Sequence, residues 1–412
     1  MTPSATLARI SAVFFVLLVV SLGGPIAPMG IASVGCAVFT LAWLVATPAA
    51  SRPRWPVTPV QLATFGWLAA FVIVGVFSLE PARSLARPNK FFMPLLVALA
   101  ALHGADRRAG RRALAAYLGM GAATALWGLI AWWSHGHSYL WRARGLSHHY
   151  MTYGGQLQLV FPVACAVALL ARSPRWRWGA ALTVALTGAA LAATYTRSSW
   201  LGAFGGAGVV LGFVWPAGVA ALALIAAAAV AFTPGDFGDR LRHMFDPAHG
   251  YNGERILMWR AGVKMFLERP LTGFGLLDMH GLYDRYMVPG ATEKVGHLHN
   301  AYVQIAATMG LTGLAAFGWL YTTLLRAAAP GVAFARRLRE RSEDELAMAL
   351  RLGAFAALAG FLVAACFEWN FGDEELLYHV YTLVGLAWAA RGWSAQVDGV
   401  AAERADHAEP AR

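Results

Sequence analysis

The chain has 412 residues, of which 58% are hydrophobic and only 13% charged, and its formal net charge is +11. Soluble globular domains carry about a quarter of their residues as charged types, which excludes a water-soluble enzyme fold as the main body of the chain. Its cations are spread over short loops between apolar runs, so the net charge reads as membrane topology and gives no reason to expect a nucleic-acid partner.

A spanning helix needs about 20 mostly apolar residues. Such stretches fall at 10–24, 27–47, 60–79, 90–104, 113–134, 154–171, 178–195, 199–216, 217–233, 300–328, 347–367 and 375–391. They predict an all-α, polytopic transmembrane bundle of about twelve helices. The first run follows a single arginine, Arg9, without a small-residue cleavage pattern, and reads as a retained helix. The stretch after Asn89 is short, and the pair meeting at Trp215-Pro216-Ala217-Gly218 also reads as one broken helix. Cys36, Cys165 and Cys366 all lie in predicted spans, where they act as small apolar side chains, so no disulfide or metal framework is expected. The chain thus divides into 1–233 with nine spans, a large outer loop at 234–299, three further spans at 300–391 and a short cytoplasmic tail at 392–412.

With the N-terminus inside, the inner loops hold Arg52 and Arg54, then Arg107, Arg108, Arg111 and Arg112, then Arg172, Arg175 and Arg177, and finally Arg336, Arg337, Arg339 and Arg341. That distribution follows the positive-inside rule. The last outer loop, Glu368 to Glu375, is acidic and agrees. Six cations remain on the disfavoured outer side: Arg83, Arg87, Lys90, Arg142, Arg144 and Arg197. Any one of them can snorkel to the interface. Together, over three loops, they point to a shared anionic ligand, because guanidinium groups bind phosphate oxygens bidentately.

The outer loop 234–299 breaks the hydrophobic signal and holds equal numbers of basic and acidic residues. It is too long for a plain connection and is expected to be a partly structured module. Ile256, Trp259, Val263 and Phe266 fall at helical spacing, with Arg260, Lys264 and Glu268 on another face, which predicts an amphipathic helix lying at the interface. Pro270-Leu271-Thr272-Gly273-Phe274-Gly275 ends it, with glycines that permit close backbone approach. The loop closes on Gly296-His297-Leu298-His299-Asn300, so His299 and Asn300 sit at a helix start, where Asn300 can cap and a neutral imidazole can accept a proton. The alternative is a polar residue that merely marks where a helix leaves lipid.

Three segments in this order resemble the O-antigen ligase family: Thr196-Arg197-Ser198-Ser199-Trp200-Leu201-Gly202 at a helix junction, Glu254-Arg255-Ile256-Leu257-Met258-Trp259 leading through Pro270 to Gly273-Phe274-Gly275, and His299-Asn300-Ala301-Tyr302 before Met309-Gly310. The resemblance implies a multi-pass protein of the bacterial inner membrane with a periplasmic helical loop module. Its implied reaction transfers a polysaccharide en bloc from undecaprenyl pyrophosphate to a hydroxyl of the lipid A–core oligosaccharide, without nucleotide, metal or other cofactor. On that reading His299 is the general base, and Arg197 and Arg255 stabilise the leaving pyrophosphate. Arg83, Arg87, Lys90, Arg142 and Arg144 hold diphosphate or acceptor phosphates, and Asn300 and Tyr302 complete the substrate site. An O-antigen polymerase would use similar arginines, and a protein O-oligosaccharyltransferase would carry a longer outer C-terminal region. A flippase of lipid-linked glycans is the rival from another class, but no inverted repeat and almost no mid-span carboxylate supports it. His135 with His137, the pair His148-His149, and Asp373-Glu374-Glu375 are weaker candidates for a cation site.

Overall fold

The computed structural model describes residues 2–86, 88–331, 334–340 and 344–393. Among these every regular element is helical. In chain order they are α1 (Pro3–Ser21), α2 (Ile26–Ala46), α3 (Pro59–Val76), α4 (Pro81–Leu85), α5 (Asn89–Phe92), α6 (Leu96–His103), α7 (Arg107–Ser134), α8 (Tyr150–Leu170), α9 (Pro174–Ala193), α10 (Arg197–Val214), α11 (Pro216–Phe232), α12 (Gly235–Arg242), α13 (Gly250–Glu268), α14 (Met279–Tyr286), α15 (Ala301–Ala328), α16 (Phe334–Glu340), α17 (Glu345–Ala364) and α18 (Glu374–Ala389). Arg87, Arg341 and the tail from 394 onward lie outside the described residues.

Each expected apolar stretch is helical, but among the described residues seven helices are long and apolar enough to cross a membrane, or eight if the sharply bent pair α11 and α12 is one span. The expected stretch at 90–104 is an apolar helical run, Lys90–His103, shorter than the seven and built from α5, a 3₁₀ turn at Met93–Leu95 and the eight-residue α6. Pro94 supplies no backbone donor there, which fits the local 3₁₀ turn. The boundaries follow local chemistry elsewhere too. Thr58 and Gln61 form a capping box at α3, Asp106 accepts from Ala109 N at 2.8 Å at α7, and prolines open α1, α3, α9 and α11.

α8, α10 and α17 pack together at the centre, with α18 lying between them and α6, and α15 on α3. Small residues set the central spacing. A Cβ on Gly202 of α10 would lie 2.9 Å from the Gly360 carbonyl of α17, and one on Gly206 would lie 2.5 Å from Pro162 of α8. Close approach of backbones through such positions is how helices associate in lipid, where apolar burial alone gives no preference. Large apolar side chains such as Ile31, Leu41, Leu62, Trp133, Trp178 and Leu224 remain exposed on the outside, the surface a membrane protein offers to lipid. The chain is a multi-pass membrane protein.

The 234–299 segment contains α12, α13 and α14. α13 packs on α15 through Met258, Ala261 and Met265, all at most 1% exposed, and the expected stripe does not match: Val263 is 48% exposed and Ile256, Trp259 and Phe266 are half-buried. The helix is apolar on several faces, so spacing alone left its phase ambiguous, and packing on α15 selected the methionines. The Pro270–Gly275 segment is then sewn onto α15. Leu311 N and Thr312 N donate to Pro270 O and Leu271 O at 2.8 and 3.0 Å, and Phe274 N and Gly275 N donate to Ala307 O and Thr308 O at 3.2 and 2.8 Å. This seam needs Gly310, which kinks α15 at φ 60° and ψ −156°, and Gly273, where a Cβ would sit 2.4 Å from the Thr308 backbone.

Candidate active site

His299 lies between two anchors. The Leu298 side chain is fully buried, its N donates to Gln304 Oε1 at 2.9 Å and its O accepts from Trp259 Nε1 at 3.1 Å. Asn300 caps α15, its Oδ1 accepting from Tyr302 N and Val303 N at 3.0 Å each. The residue between takes φ 46°, a left-handed conformation uncommon for a side chain with a Cβ and characteristic of functional positions.

The same cap gathers the loop after α17. Asn300 Nδ2 donates to Cys366 O at 2.8 Å, Ala301 N to Ala365 O at 2.8 Å and Tyr302 Oη to Leu362 O at 2.9 Å. Arg255 of α13 donates to Phe367 O at 2.6 Å. These bonds deliver Glu368, whose carboxylate lies 3.0 and 3.1 Å from His299 Nδ1 and 3.3 Å from Arg255. Burial pushes the Glu368 carboxyl up, but the His299 hydrogen bond and the charges of His299, Arg255 and His297 outweigh it and hold the group at about 2. An ionised carboxylate only accepts, so His299 Nδ1–H is the donor to it, and in the neutral form of such a ring the lone pair is on Nε2. The Arg255 guanidinium, 3.5 Å from the same Nδ1, is the weaker contact.

His297 stands against His299, ring centroids 4.2 Å apart, with Nδ1 3.9 Å from Glu368. Burial, reinforced by His299, lowers its pKa to about 4. His297, His299 and Glu368 are the described residues whose donor atoms converge closely enough to hold a metal ion.

Arg197 opens α10 after the N-cap residue Thr196, and Tyr195 before that cap takes φ 51°. Its guanidinium donates to His243 O at 3.2 Å and Asn252 Oδ1 at 2.7 Å. Burial, then Arg240 and Arg255, lower its pKa to about 10, still far above neutrality. Arg142 and Arg240 stack on the Tyr139 ring at 4.1 and 4.4 Å, and Arg240 also donates to Tyr139 Oη at 2.8 Å. Among the described residues no carboxylate ion-pairs with Arg142, Arg197 or Arg240, so the cluster has positive charge to spare. Arg197 and Arg255 line a pocket of about 150 Å³ with Ser198, Asn252 and Trp259. Through the shared Leu201, Met244 and Phe245 it adjoins an apolar cleft of about 950 Å³ running between α8, α9, α10 and α11.

Residues 180–318 match the model of the O-antigen ligase family. No curated protein matches the chain. The matched segment contains Arg197, Arg240, Arg255, His297 and His299, whereas Arg142, Lys90 and Glu368 come from outside it.

The other expected site residues are placed variously. Lys90 donates to Gly372 O, beside Asp373. Arg144 is exposed and stacks on Trp141 at 4.5 Å. Arg83 is exposed, pairs with Glu80 at 2.7 Å and lines a different cavity, of about 610 Å³, with Asp278 and Arg285. Arg87 lies outside the described residues. The polar side-chain atoms of Asn300 and Tyr302 hydrogen-bond backbone, which makes them organisers of the loop that carries Glu368. Glu368 and Arg240 were not anticipated. Glu368 read as an acidic outer loop, and Arg240 was one of many charges in the large loop; its one sequence signal was company with Tyr139 across the chain, which spacing does not reveal.

Proposed function

We propose that this protein is an O-antigen ligase of the bacterial inner membrane, joining a glycan carried on undecaprenyl pyrophosphate to the lipid A–core oligosaccharide at the periplasmic face. The observation that carries the reading is the His299–Glu368 pair set against Arg255, with Arg197 across the small pocket. His299 Nε2 removes the proton from the acceptor hydroxyl as its oxygen attacks the anomeric carbon, and Glu368 stabilises the imidazolium that forms. The bond from the anomeric carbon to the diphosphate oxygen breaks, and the electron pair leaves with the diphosphate. Arg197 and Arg255 meet the charge that grows there. Attack opposite the leaving group inverts the anomeric centre. The polyprenyl tail fits the adjoining apolar cleft, and Arg142 and Arg240 supply further positive charge at its polar end.

The test is to incubate the purified protein with undecaprenyl-pyrophosphate glycan and lipid A–core, without nucleotide. Glycan joined to the core is the expected product. Longer carrier-linked glycan would assign polymerisation instead, and no covalent product would overturn the enzymatic reading. Ligation should persist in EDTA, because no step uses a metal. Loss in EDTA with rescue by magnesium would move the chemistry to Asp373, Glu374 and Glu375.

A further inference from the structure

We propose that His297, His299 and Glu368 form a site for a borderline transition-metal ion such as Zn²⁺, and that its occupation switches the base off. One ring nitrogen each of His297 and His299 and a Glu368 carboxylate oxygen lie within 4.8 Å of one another, and it is Nδ1 of each ring that approaches Glu368. Glu368 Oε1 is 3.0 Å from one ring nitrogen and 3.9 Å from the other. A second observation points to a ligand independently. His297 Nδ1 is buried and has no hydrogen-bond partner, although 37% of the side chain is exposed. A buried, unpaired nitrogen is rare in a folded protein, and here it is 3.9 Å from a carboxylate and edge-to-face with a second imidazole. The exposed part of the ring gives an ion a way in.

The donor set decides the metal class. Two imidazoles and one carboxylate suit Zn²⁺, leaving a fourth position for water, whereas Mg²⁺ and Ca²⁺ require oxygen donors throughout. Zn–N and Zn–O bonds of about 2 Å require the His297–Glu368 spacing to close by a fraction of an ångström, within reach of a rotation of the loop side chain His297. Arg255, 3.3 Å from Glu368, opposes a second cation and keeps the affinity well below that of a closed structural site.

Inhibition follows from which nitrogen is used. Nδ1 can bind the ion only after losing its proton, which transfers to Nε2 through solvent, so the ring remains neutral overall. Nε2 then carries hydrogen and has no lone pair for the acceptor's proton. This inhibitory half rests on the proposed function; the binding half does not.

The experiment is calorimetric titration of the full-length protein in detergent with ZnCl₂, paired with the visible absorption of bound Co²⁺, and ligation measured across the same zinc series. The expected result is one site whose affinity falls at least tenfold in His297→Ala and in Glu368→Gln and is unchanged in His280→Ala, with MgCl₂ inert. In His297→Ala, whatever its own rate, the zinc concentration that halves ligation should rise by the same factor. Unchanged zinc affinity in both His297→Ala and Glu368→Gln would overturn the site and place the ion on other histidines. Zinc bound at the site with undiminished ligation would overturn the inhibitory half, and with it His299 as base. If the wild type forms no ligated product at all, the proposed function fails while the calorimetry still decides the site.

Discussion

The two ends of α17 each hold a buried carboxylate among cations, and they are finished differently. At the N-terminal end Asp344 is fully buried, pairs with Arg107 and Arg111 at 2.6 and 2.8 Å, and caps the helix by accepting from Leu346 N and Ala347 N at 3.0 and 3.1 Å. At the C-terminal end Glu368 is shared by Arg255, His299 and its neighbour Trp369 N, with His297 close by and unbonded. The first end satisfies its carboxylate and belongs to the fold. The second leaves His297 Nδ1 without a hydrogen-bond partner and Arg255 on the lining of the small pocket, the arrangement expected where charge must be met during a reaction.

The largest effect expected of this comparison is at His299. His299→Ala should lower turnover by about 10²–10⁴-fold while donor binding stays near normal, measured at matched membrane abundance. Near-normal turnover would remove the base and with it the distinction between the two ends. Arg197→Ala and Arg255→Ala should each cost about 10²–10³-fold in rate and weaken donor binding as well, because the diphosphate is charged before the bond breaks. Lysine at either position should restore only part, since an ammonium lacks the bidentate fork. Glu368→Gln should fall by on the order of 10²-fold with binding intact, because the amide no longer fixes the His299 tautomer.

Asp344→Ala should do the opposite. It removes a buried carboxylate that pairs with two arginines and uncaps α17, so we expect a loss of about 2–3 kcal/mol in stability, read as a lowered thermal midpoint, with turnover per folded molecule near wild type. A collapse of turnover in the folded fraction would mean that the two ends are coupled along α17.

These differences also explain what the sequence could reveal. The apolar runs were legible because lipid demands them, and Arg107 and Arg111 were read as topology cations, with no sign that they are partners of Asp344. His299, Arg197 and Arg255 were visible beside the turns, caps and helix starts that position them. Glu368 was hidden, because its partner is 69 residues away and its charge matched what topology already expected. Tertiary bonds such as those from Asn300 to Cys366 and from Arg255 to Phe367 bring it in. For the same reason Asn300 and Tyr302 looked like ligand contacts when their hydrogen bonds hold the loop. The phase of α13 was misjudged because a helix apolar on several sides does not declare which side α15 will cover.

The smallest expected effect separates Glu368 from its acidic neighbour. Asp373 accepts from Thr152 Oγ1 at 2.9 Å and faces Lys90, Glu375 and Glu368. Burial raises its pKa to about 6 from 3.8, with Glu375 and Glu368 adding to the rise and Thr152 and Lys90 opposing it. A raised carboxylate pKa means that the folded protein holds the proton more tightly than the unfolded chain, so Asp373 lowers stability as pH rises from about 4 through about 6, and its penalty is constant above that. Glu368, held down at about 2 from 4.5, has the opposite sign: its contribution is complete above about 4.5 and disappears only as pH falls through about 2. Between pH 5 and 8 the slope therefore belongs to Asp373 alone of the two. Asp373→Asn keeps an acceptor for Thr152 and should raise stability by about 1–2 kcal/mol at pH 7, after discounting the shift for the partial exposure of the side chain, with no gain at pH 4. Thermal midpoints of both proteins in one detergent across that range measure it. A gain of equal size at pH 4 and pH 7 would show that it does not come from a raised pKa of Asp373, and a loss at pH 7 would place Asp373 with Asp344 among the satisfied carboxylates.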